Sequence, residues 1–315
     1  MFEIYSFDKK KGQVTKENFK SSKNKMSWIR IINLDAQKIE LLSKSTGIEL
    51  AELKESLEEE ERPKVSSGKY LEIIYRAPSV IDNELETVPL YFYLFNDKLV
   101  TIEKKPLIVL DIISESLAQN QKKFLFKKGL PYFVHYIIDK INDDFLIRID
   151  KISSRIDLYE NFSKREMNVE DIEKLYDQSV ILSFFNQALI ANLEVLNQLK
   201  KNYFKQIPRH ESKHFEELYY DLLQILDTEK IQREVISNLI NVHSVLTSTR
   251  LNEFMKRLTI IALVITIPTI LSGLFGMNFI HIPLRDHPLG FYVTSLGIII
   301  VTFFIYWFFN KKNKF

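Results

Sequence analysis

The sequence contains no cysteine among its 315 residues. Disulfide bonds, thiolate metal sites and cysteine nucleophiles are therefore excluded. It also lacks a strong charge of one sign, because 43 Lys and Arg residues face 41 Asp and Glu residues and leave a net charge of +2. Without a basic stripe, so small an excess argues against a nucleic-acid partner. The sequence shows no phosphate-binding glycine loop. We also expect no cleavable export signal, because no basic region followed by a long apolar stretch stands near Met1.

Charged residues are absent from two long segments near the C-terminal end. No Asp, Glu, Lys or Arg occurs from Leu258 to Leu284, or from Pro288 to Asn310. Each segment exceeds the roughly 20 residues with which a helix crosses the apolar core of a bilayer. The sequence therefore predicts two transmembrane helices that have lipid as their surroundings.

The basic residues that flank these segments predict their orientation. Lys256 and Arg257 precede the first segment, and three lysines follow the second, Lys311, Lys312 and Lys314. The loop between the segments offers only Arg285, which stands beside Asp286. Because Lys and Arg favour the cytoplasmic side, we expect a multi-pass plasma-membrane protein with both termini in the cytoplasm.

Proline and glycine are absent from Ser212 until Pro268. The simplest prediction is one helix from about residue 212 to 275, roughly 95 Å long at 1.5 Å per residue. A bilayer takes about a third of that length. The remainder would project into the cytosol, where so long a helix needs partners for its apolar side.

One face of this helix is richer in small and polar residues than its neighbours. Seven residues recur there at steps of three or four, and we call them the stripe: Asn252, Met255, Leu258, Ala262, Thr266, Thr269 and Gly273. Thr259 could take the place of Leu258 at the same spacing. Side chains at this spacing share a face. Such a face either packs closely against another helix or lines a water-filled path. The second interpretation requires a symmetric ring of subunits, because two helices cannot enclose a path.

The rest of the chain predicts an α/β region followed by amphipathic helices. Short runs rich in aromatic and β-branched residues indicate strands at 2–7, 28–34, 70–75, 88–95 and 98–103, with helices at 36–45 and 50–61. Beyond Pro131 the apolar residues recur at steps of three and four, as in long helices. The predicted organisation is a cytosolic α/β domain (1–130), cytosolic helices (131–211), a stalk helix (212–257), a first membrane helix (258–278), an external loop (279–287), a second membrane helix (288–310) and a basic tail (311–315).

A competing motif precedes the long helix. His210-Glu211-Ser212-Lys213-His214 matches H-E-x-x-H, in which two imidazoles on one helix face bind zinc and the glutamate is the general base. This would make the chain a membrane-anchored metallopeptidase. The match lies just after Pro208, at an expected helix start, and no clear third ligand follows it. We therefore expect no enzymatic activity.

Taken together, several motifs resemble the CorA family of divalent-cation transporters. They are Asn252-Glu253-Phe254-Met255-Lys256-Arg257-Leu258-Thr259, then Pro268, then Gly273-Leu274-Phe275-Gly276-Met277-Asn278-Phe279. Glu61-Arg62-Pro63-Lys64-Val65 and Gly68-Lys69-Tyr70-Leu71 are similar to the N-terminal domain of that family. The resemblance covers essentially the whole chain.

The resemblance implies a funnel-shaped homopentamer in which the first membrane helix of each subunit lines a pore. It implies that Gly276, Met277 and Asn278 form the ion-selecting mouth. It further implies an apolar gate at Met255 and Leu258, with Asn252 below it. The transported ion would be Mg²⁺, with Co²⁺ and Ni²⁺ as further substrates, and no organic cofactor is implied.

In the family, closure is linked to Mg²⁺ held by acidic residues between neighbouring cytosolic domains. Spacing back from Asn252 places Glu217 at one such position, and we expect its partner in the 82–86 loop, where we favour Asp82.

The sequence departs from the family pattern at two places. Asn241 replaces a frequent aspartate, which predicts weakened or rearranged feedback by bound metal, and the external loop lacks the glutamate that usually follows a Met-Pro pair.

Three alternatives to Mg²⁺ transport follow from the sequence. Zinc transporters of the same family keep the Gly-Met-Asn motif, so the motif does not separate Zn²⁺ from Mg²⁺. The second alternative is the metallopeptidase described above. The third is a non-conducting membrane scaffold that uses the long helix as a coiled coil.

The external loop generates a first testable prediction. Asp286 stands beside Arg285, which cancels much of its field, so we expect weak electrostatic recruitment of cations to the mouth. If Asp286 partly replaces the missing glutamate, Asp286→Ala lowers uptake at low external Mg²⁺ and leaves uptake at saturating Mg²⁺ unchanged. Unchanged uptake at low Mg²⁺ would show that Asp286 has no such role.

Overall fold

The computed structural model describes residues 2–9, 11–16, 25–35, 39–57, 61–81, 84–162, 167–201, 203–277, 281–284 and 286–312. The chain divides into two compact units, Met1–Ile240 and Asn241–Phe315. The predictions made for Asp82, Asn278 and Arg285 lie outside the described residues.

The first unit is built on a mixed sheet. Its strands are β1 (Phe2–Asp8), β2 (Gln13–Lys16), β3 (Met26–Ile32), β4 (Lys64–Ser67), β5 (Leu71–Ile81), β6 (Glu84–Leu94) and β7 (Lys98–Glu103). They lie in the order β2-β1-β3-β7-β6-β5-β4. The pair β3–β7 is parallel, with Trp28 opposite Leu99, and the other described pairs are antiparallel.

Helices cover both faces of this sheet. They are α1 (Ile39–Thr46), α2 (Leu50–Glu55), α3 (Ile108–Ala118), α4 (Phe124–Lys128), α5 (Leu130–Phe162), α6 (Val169–Leu199) and α7 (Ser212–Phe275), and α8 (Gly290–Lys312) follows in the second unit. Residues of α1 and α2 join one apolar core, and residues of α3 to α7 join the other. Alternate strand residues supply the two cores, so Ile73 faces one and Ile74 the other.

The five predicted strands are present, but two further strands were missed. β2 and β4 are four residues long and carry one apolar residue each, Val14 and Val65, so neither has a detectable alternation. The predicted helix at 50–61 is too long. α2 ends at Glu55, and the hydroxyl of the next residue, Ser56, donates to the carbonyl of Leu53 within the same turn.

The long helix is confirmed as one element. α7 contains 64 residues, and its bounds agree with those expected from the absence of proline and glycine. The chain thus has an N-terminal α/β arrangement followed by a long helix and a C-terminal helix.

α6 is also long and apolar enough to cross a membrane. Its apolar residues are used in the first unit, where Leu182, Phe185 and Leu189 are fully buried. The carboxamide of Asn192 accepts from the N–H of Arg76 and donates to the carbonyl of Arg76, both at 2.8 Å. This helix is therefore a core element packed against β5.

A buried ion network joins the sheet to α3. Arg30 is 1% exposed, and its guanidinium donates to Glu103 Oε1 at 2.5 Å and to Asp111 Oδ1 at 2.7 Å. It also donates to Ser114 Oγ at 3.2 Å. The second oxygen of Glu103 accepts from the N–H of Leu107 at 2.8 Å, just before α3 begins. One arginine thereby fixes the entry of α3 on the sheet.

Removal of this arginine is predicted to destabilise the first unit. Arg30→Met leaves Glu103 buried without its cation, and we expect the free energy of unfolding to fall by about 3 kcal/mol or more. Denaturant unfolding of the full-length chain in detergent measures the change. The double variant Arg30→Met/Glu103→Met should recover much of the loss, and a single variant as stable as wild type would contradict the prediction.

Candidate functional site

The charge-free segments of α7 and α8 are long and apolar enough to cross a membrane, and no residue of the most apolar 18-residue stretch of either helix is buried within the chain. Met255 is 50% exposed and Leu258 is 49% exposed. All seven residues of the stripe are exposed. Apolar surface of this extent requires lipid or other protein against it.

The opposite face of α7 is different. Ile260, Val264, Ile267 and Leu271 are partly covered by the rest of the chain. At 3.6 residues per turn, this group lies about 180° around the helix from the centre of the stripe. On α8, one face is likewise partly covered, including Ile298, Thr302 and Ile305. The stripe is therefore on the side of α7 that the chain itself leaves open.

Hydroxyl groups within the stripe are bonded to the helix backbone. Thr266 Oγ1 donates to the carbonyl of Ala262 at 2.7 Å, and Thr269 Oγ1 donates to that of Ile265 at 2.8 Å. A hydroxyl that donates internally is tolerated at membrane depth, and its oxygen still accepts from water. Pro268 lies within the helix. It supplies no N–H for the carbonyl of Val264, which belongs to the partly covered face and not to the stripe.

The end of α7 forms a tight turn at Gly276. Its N–H donates to the carbonyls of Ser272 at 2.9 Å and Gly273 at 3.2 Å, and the N–H of Met277 reaches Leu274 at 3.3 Å. A Cβ placed on Gly276 would lie 3.3 Å from the Ser272 oxygen, closer than an ordinary contact. Glycine thus avoids this close contact directly after the helix ends at Phe275.

A cavity of about 490 Å³ lies beside this turn within the second unit. The last turn of α7, the following loop and the first turns of α8 line it, including Ser272, Gly276, Met277, Pro283, Phe291 and Thr294. The α7 end and the α8 start are therefore neighbours, as expected for two helices joined by a short loop.

Glu217 lies on α7 among other acidic groups. Its side chain is 58% exposed, and its Oε2 lies 3.6 Å from Nδ1 of His214. Burial, followed by repulsion from Asp139, Glu217 and Asp143, raises the pKa of Asp221. Carboxylates of α5 and α7 therefore gather near Glu217, and Lys140 Nζ lies 3.1 Å from Asp139 Oδ2 and 2.6 Å from Asp143 Oδ2. The sequence pattern had not singled out Asp139, Asp143 and Asp221, since nothing in it sets α5 beside α7.

The H-E-x-x-H match does not adopt the geometry that the metallopeptidase hypothesis requires. α7 begins at Ser212, so His210 precedes the helix and does not share a helical face with His214. Glu211 is buried, and its oxygens lie 3.4 Å from His210 Nε2 and 4.0 Å from His214 Nε2. Among the described residues, no group of three or more His, Asp or Glu side chains is arranged to hold a metal ion.

His135 on α5 packs against the start of α7. Its ring centroid lies 5.1 Å from that of His214 and 6.1 Å from that of Phe215. Burial, assisted by His214, lowers the pKa of His135 to about 4. The imidazole is therefore neutral at physiological pH and acts as a packing group.

This lowered pKa predicts a pH-dependent stability. An unfolded histidine has a pKa of about 6.5, so unfolding takes up a proton at His135 below that pH. The stabilisation is complete above about pH 6.5 and is lost as the pH falls towards about 4. In His135→Phe, which preserves an aromatic ring, the thermal midpoint should fall less steeply between pH 7 and pH 4.5.

The exposed His210 provides the matched control for that experiment. Its side chain is 77% exposed, so His210→Phe should retain the pH slope of the wild type. Identical slopes for the wild type and His135→Phe would contradict the assignment.

Comparison with known proteins places these features in a family context. The family model described as "CorA-like Mg2+ transporter protein" matches residues 23–312. The cobalt/magnesium transport protein CorA of Methanocaldococcus jannaschii is 28% identical over 285 residues, which cover 90% of this chain and 89% of that protein. The protein of the same name from Thermotoga maritima is 27% identical over 294 residues, which cover 91% and 83%.

The fold is also found among solved structures. The complete structure of the CorA magnesium transporter from Methanocaldococcus jannaschii superposes with a TM-score of 0.91. The match has 24% sequence identity and covers 98% of this chain and 97% of that one. At this level of identity, the likeness shows that the two chains share a fold.

Proposed function

Because the chain belongs to the family of CorA-like Mg²⁺ transporter proteins, we propose that it forms a gated channel through which the membrane potential drives Mg²⁺ into the cell. The observation that carries this proposal is the open stripe of α7, which lies opposite the face that the subunit covers. Members of this family are transporters, so the chain is not an enzyme and the metallopeptidase hypothesis is excluded.

We infer that the path is enclosed by a ring of identical subunits. One α7 presents one stripe, and a closed ring of copies would turn every stripe towards a common axis. The resemblance implies five copies, which together form a funnel. In this ring α7 is the inner helix and α8 the outer helix, which agrees with the mainly aliphatic and aromatic surface of α8.

The mouth of the path is assigned to Gly276, Met277 and Asn278. Mg²⁺ binds its waters tightly and dehydrates reluctantly. Carboxamide and carbonyl oxygens can accept hydrogen bonds from those waters without removing them, and neutral groups bind weakly enough for the ion to leave. The turn at Gly276 supports this role, since it follows directly on the end of the helix and belongs to the same tripeptide as Asn278.

The cytosolic end of the path is assigned to Met255 and Leu258, with Asn252 below them. A ring of these two exposed apolar side chains would close a narrow path by excluding water. The driving force for entry is about 2.3 kcal/mol per charge for each 100 mV of membrane potential. Ala262, Thr266, Thr269 and Gly273 line the path between gate and mouth. Both termini are placed in the cytoplasm.

Regulation by cytosolic Mg²⁺ is assigned to Glu217, with Asp82 as its partner. The carboxylates near Glu217 support this, because burial and then their mutual repulsion raise the pKa of Asp221, and a bound cation would relieve the repulsion. Ligands from a neighbouring subunit would complete the site. Asn241, which supplies no charge, predicts weaker feedback than in members with an acid at that position.

We place Mg²⁺ ahead of Zn²⁺ as the transported ion, with Co²⁺ and Ni²⁺ as further substrates. The two relatives are named for cobalt and magnesium transport. Uptake of each metal by cells that express the chain distinguishes the ions directly.

The mouth is tested by removal of its carboxamide. In cells deficient in Mg²⁺ uptake, the wild type should restore growth at low Mg²⁺ and Asn278→Ala should not, because its mouth no longer orients the hydrated ion. Equal protein in the membrane fraction is the control for expression. Equal growth with both proteins would contradict the role of Asn278, and failure of the wild type would contradict Mg²⁺ transport itself.

The stripe is tested by a pair of matched substitutions. Thr266 and Thr302 each donate a hydroxyl hydrogen bond to a carbonyl four residues earlier, at 2.7 and 2.8 Å. Thr266→Val removes an acceptor from the proposed path and should lower Mg²⁺ flux several-fold, whereas Thr302→Val on α8 should leave it unchanged. Isotope or dye-reported flux into proteoliposomes measures both. Equal effects of the two substitutions would contradict the assignment of the stripe to the path.

A further inference from the structure

The seam by which α7 packs on the first unit contains one acidic residue among apolar ones. Its buried residues are Phe215, Leu218, Leu222, Ile225, Glu229 and Ile236. They follow steps of three and four residues, with one step of seven, as in the a/d pattern of packed helices. Glu229 is 0% exposed, whereas every other buried residue of this seam is Phe, Leu or Ile.

Glu229 contacts one polar group on another helix. Asn186 on α6 donates from Nδ2 to Glu229 Oε2 at 2.6 Å. The other oxygen, Oε1, makes no hydrogen bond and lies 3.3 Å from Nε of Arg233, one turn farther along α7. Burial raises the pKa of the Glu229 carboxyl, and both Asn186 and Arg233 oppose the rise. Because Arg233 belongs to α7 itself, Asn186 supplies the contact between helices.

Stability alone does not account for this arrangement. An apolar side chain of similar size in such a seam is often at least as stabilising as a buried charged group. The best-attested use of one polar residue at a seam position is to fix the register of the two helices. Displacement of α7 by one turn, about 5 Å, would place Ile225 or Gln232 near Asn186 and leave Glu229 without its amide partner.

The Glu229–Asn186 pair lies near the end of the buried part of α7. Glu229 and Ile236 are the last buried residues of this helix, and the first unit ends at Ile240. No residue of α7 from Asn241 to Phe275 is buried within the chain. The Glu229–Asn186 hydrogen bond therefore holds α7 close to the point where the helix leaves the first unit and continues to Met255 and Leu258.

We propose that Glu229 is a positioning residue whose hydrogen bond with Asn186 fixes the register of α7 on the first unit, and that this register determines how far the conduction path opens. The second part rests on the proposed function. A continuous helix transmits an axial shift or a rotation along its length, so a change of register at Glu229 moves the stripe on the same helix.

The register is measured first, without reference to transport. Since the chain has no cysteine, spin labels attach only at introduced sites, Glu173→Cys on α6 and Glu216→Cys on α7, both of them exposed. The full-length chain is reconstituted in lipid nanodiscs with an excess of unlabelled chain, so that distances within one subunit dominate. The label-to-label distance is compared between the wild type, Glu229→Gln, Glu229→Leu and Asn186→Leu/Glu229→Leu.

The proposal expects one narrow distance distribution in the wild type and in Glu229→Gln, which keeps an acceptor for Asn186. In Glu229→Leu and in the double variant it expects broadening or a second population displaced by about 5 Å. The same single distance in all four proteins would overturn the register role. The double variant removes both polar partners, so its thermal midpoint should equal or exceed that of the wild type.

Transport provides the second measurement. Mg²⁺ flux into proteoliposomes is recorded against internal Mg²⁺, and the concentration that halves the flux should shift by about fivefold or more in the double variant. It should not shift in Glu229→Gln or in the seam control Ile225→Leu. An unchanged concentration in a stable double variant would overturn the link between register and opening. If the wild type carries no Mg²⁺, the proposed function fails, while the spin-label distances still decide the register.

Discussion

One continuous helix, from Ser212 to Phe275, connects the part of the chain that packs on the sheet with the part that carries the stripe. The lipid interior offers no partners for free N–H and C=O groups, so backbone at that depth must satisfy itself. A helix of this length also needs its apolar side covered. The first unit covers its N-terminal part, and the proposed ring of subunits would cover the remainder. The sheet, the helical layers and the buried Glu229–Asn186 pair are connected to the stripe through this one helix.

The parts of the fold that follow from local pattern were predictable. The strands that bury both faces are rich in aromatic and branched residues, and the bounds of α7 follow from the lack of helix breakers. Elements with little pattern were not predictable, such as β2 and β4, which carry one apolar residue each. The end of α2 at Glu55 was also missed, because an acidic run continues the helical composition beyond the point where the helix stops.

The candidate site was likewise predictable only in part. Spacing alone identified the stripe, since residues three and four apart share a helical face. It did not reveal that the opposite face, at Ile260, Val264, Ile267 and Leu271, is the covered one, because this depends on packing elsewhere in the chain. In the sequence, nothing separates Glu229 from the many other charged residues. Only the structure shows that Asn186 on α6 donates a hydrogen bond to it. His210 and His214 match a metal-site spacing but are separated by the start of the helix.

The central claim is that the stripe, and not the opposite face of α7, lines a water-filled path. The absence of native cysteine allows a direct measurement, in which single cysteines are introduced along α7 in reconstituted protein and treated with a small, charged, water-soluble thiol reagent. The account predicts labelling, with loss of Mg²⁺ flux, at positions 262, 266, 269 and 273, and protection at 260, 264, 267 and 271. Equal labelling of the two faces, or labelling of the second set alone, would contradict it.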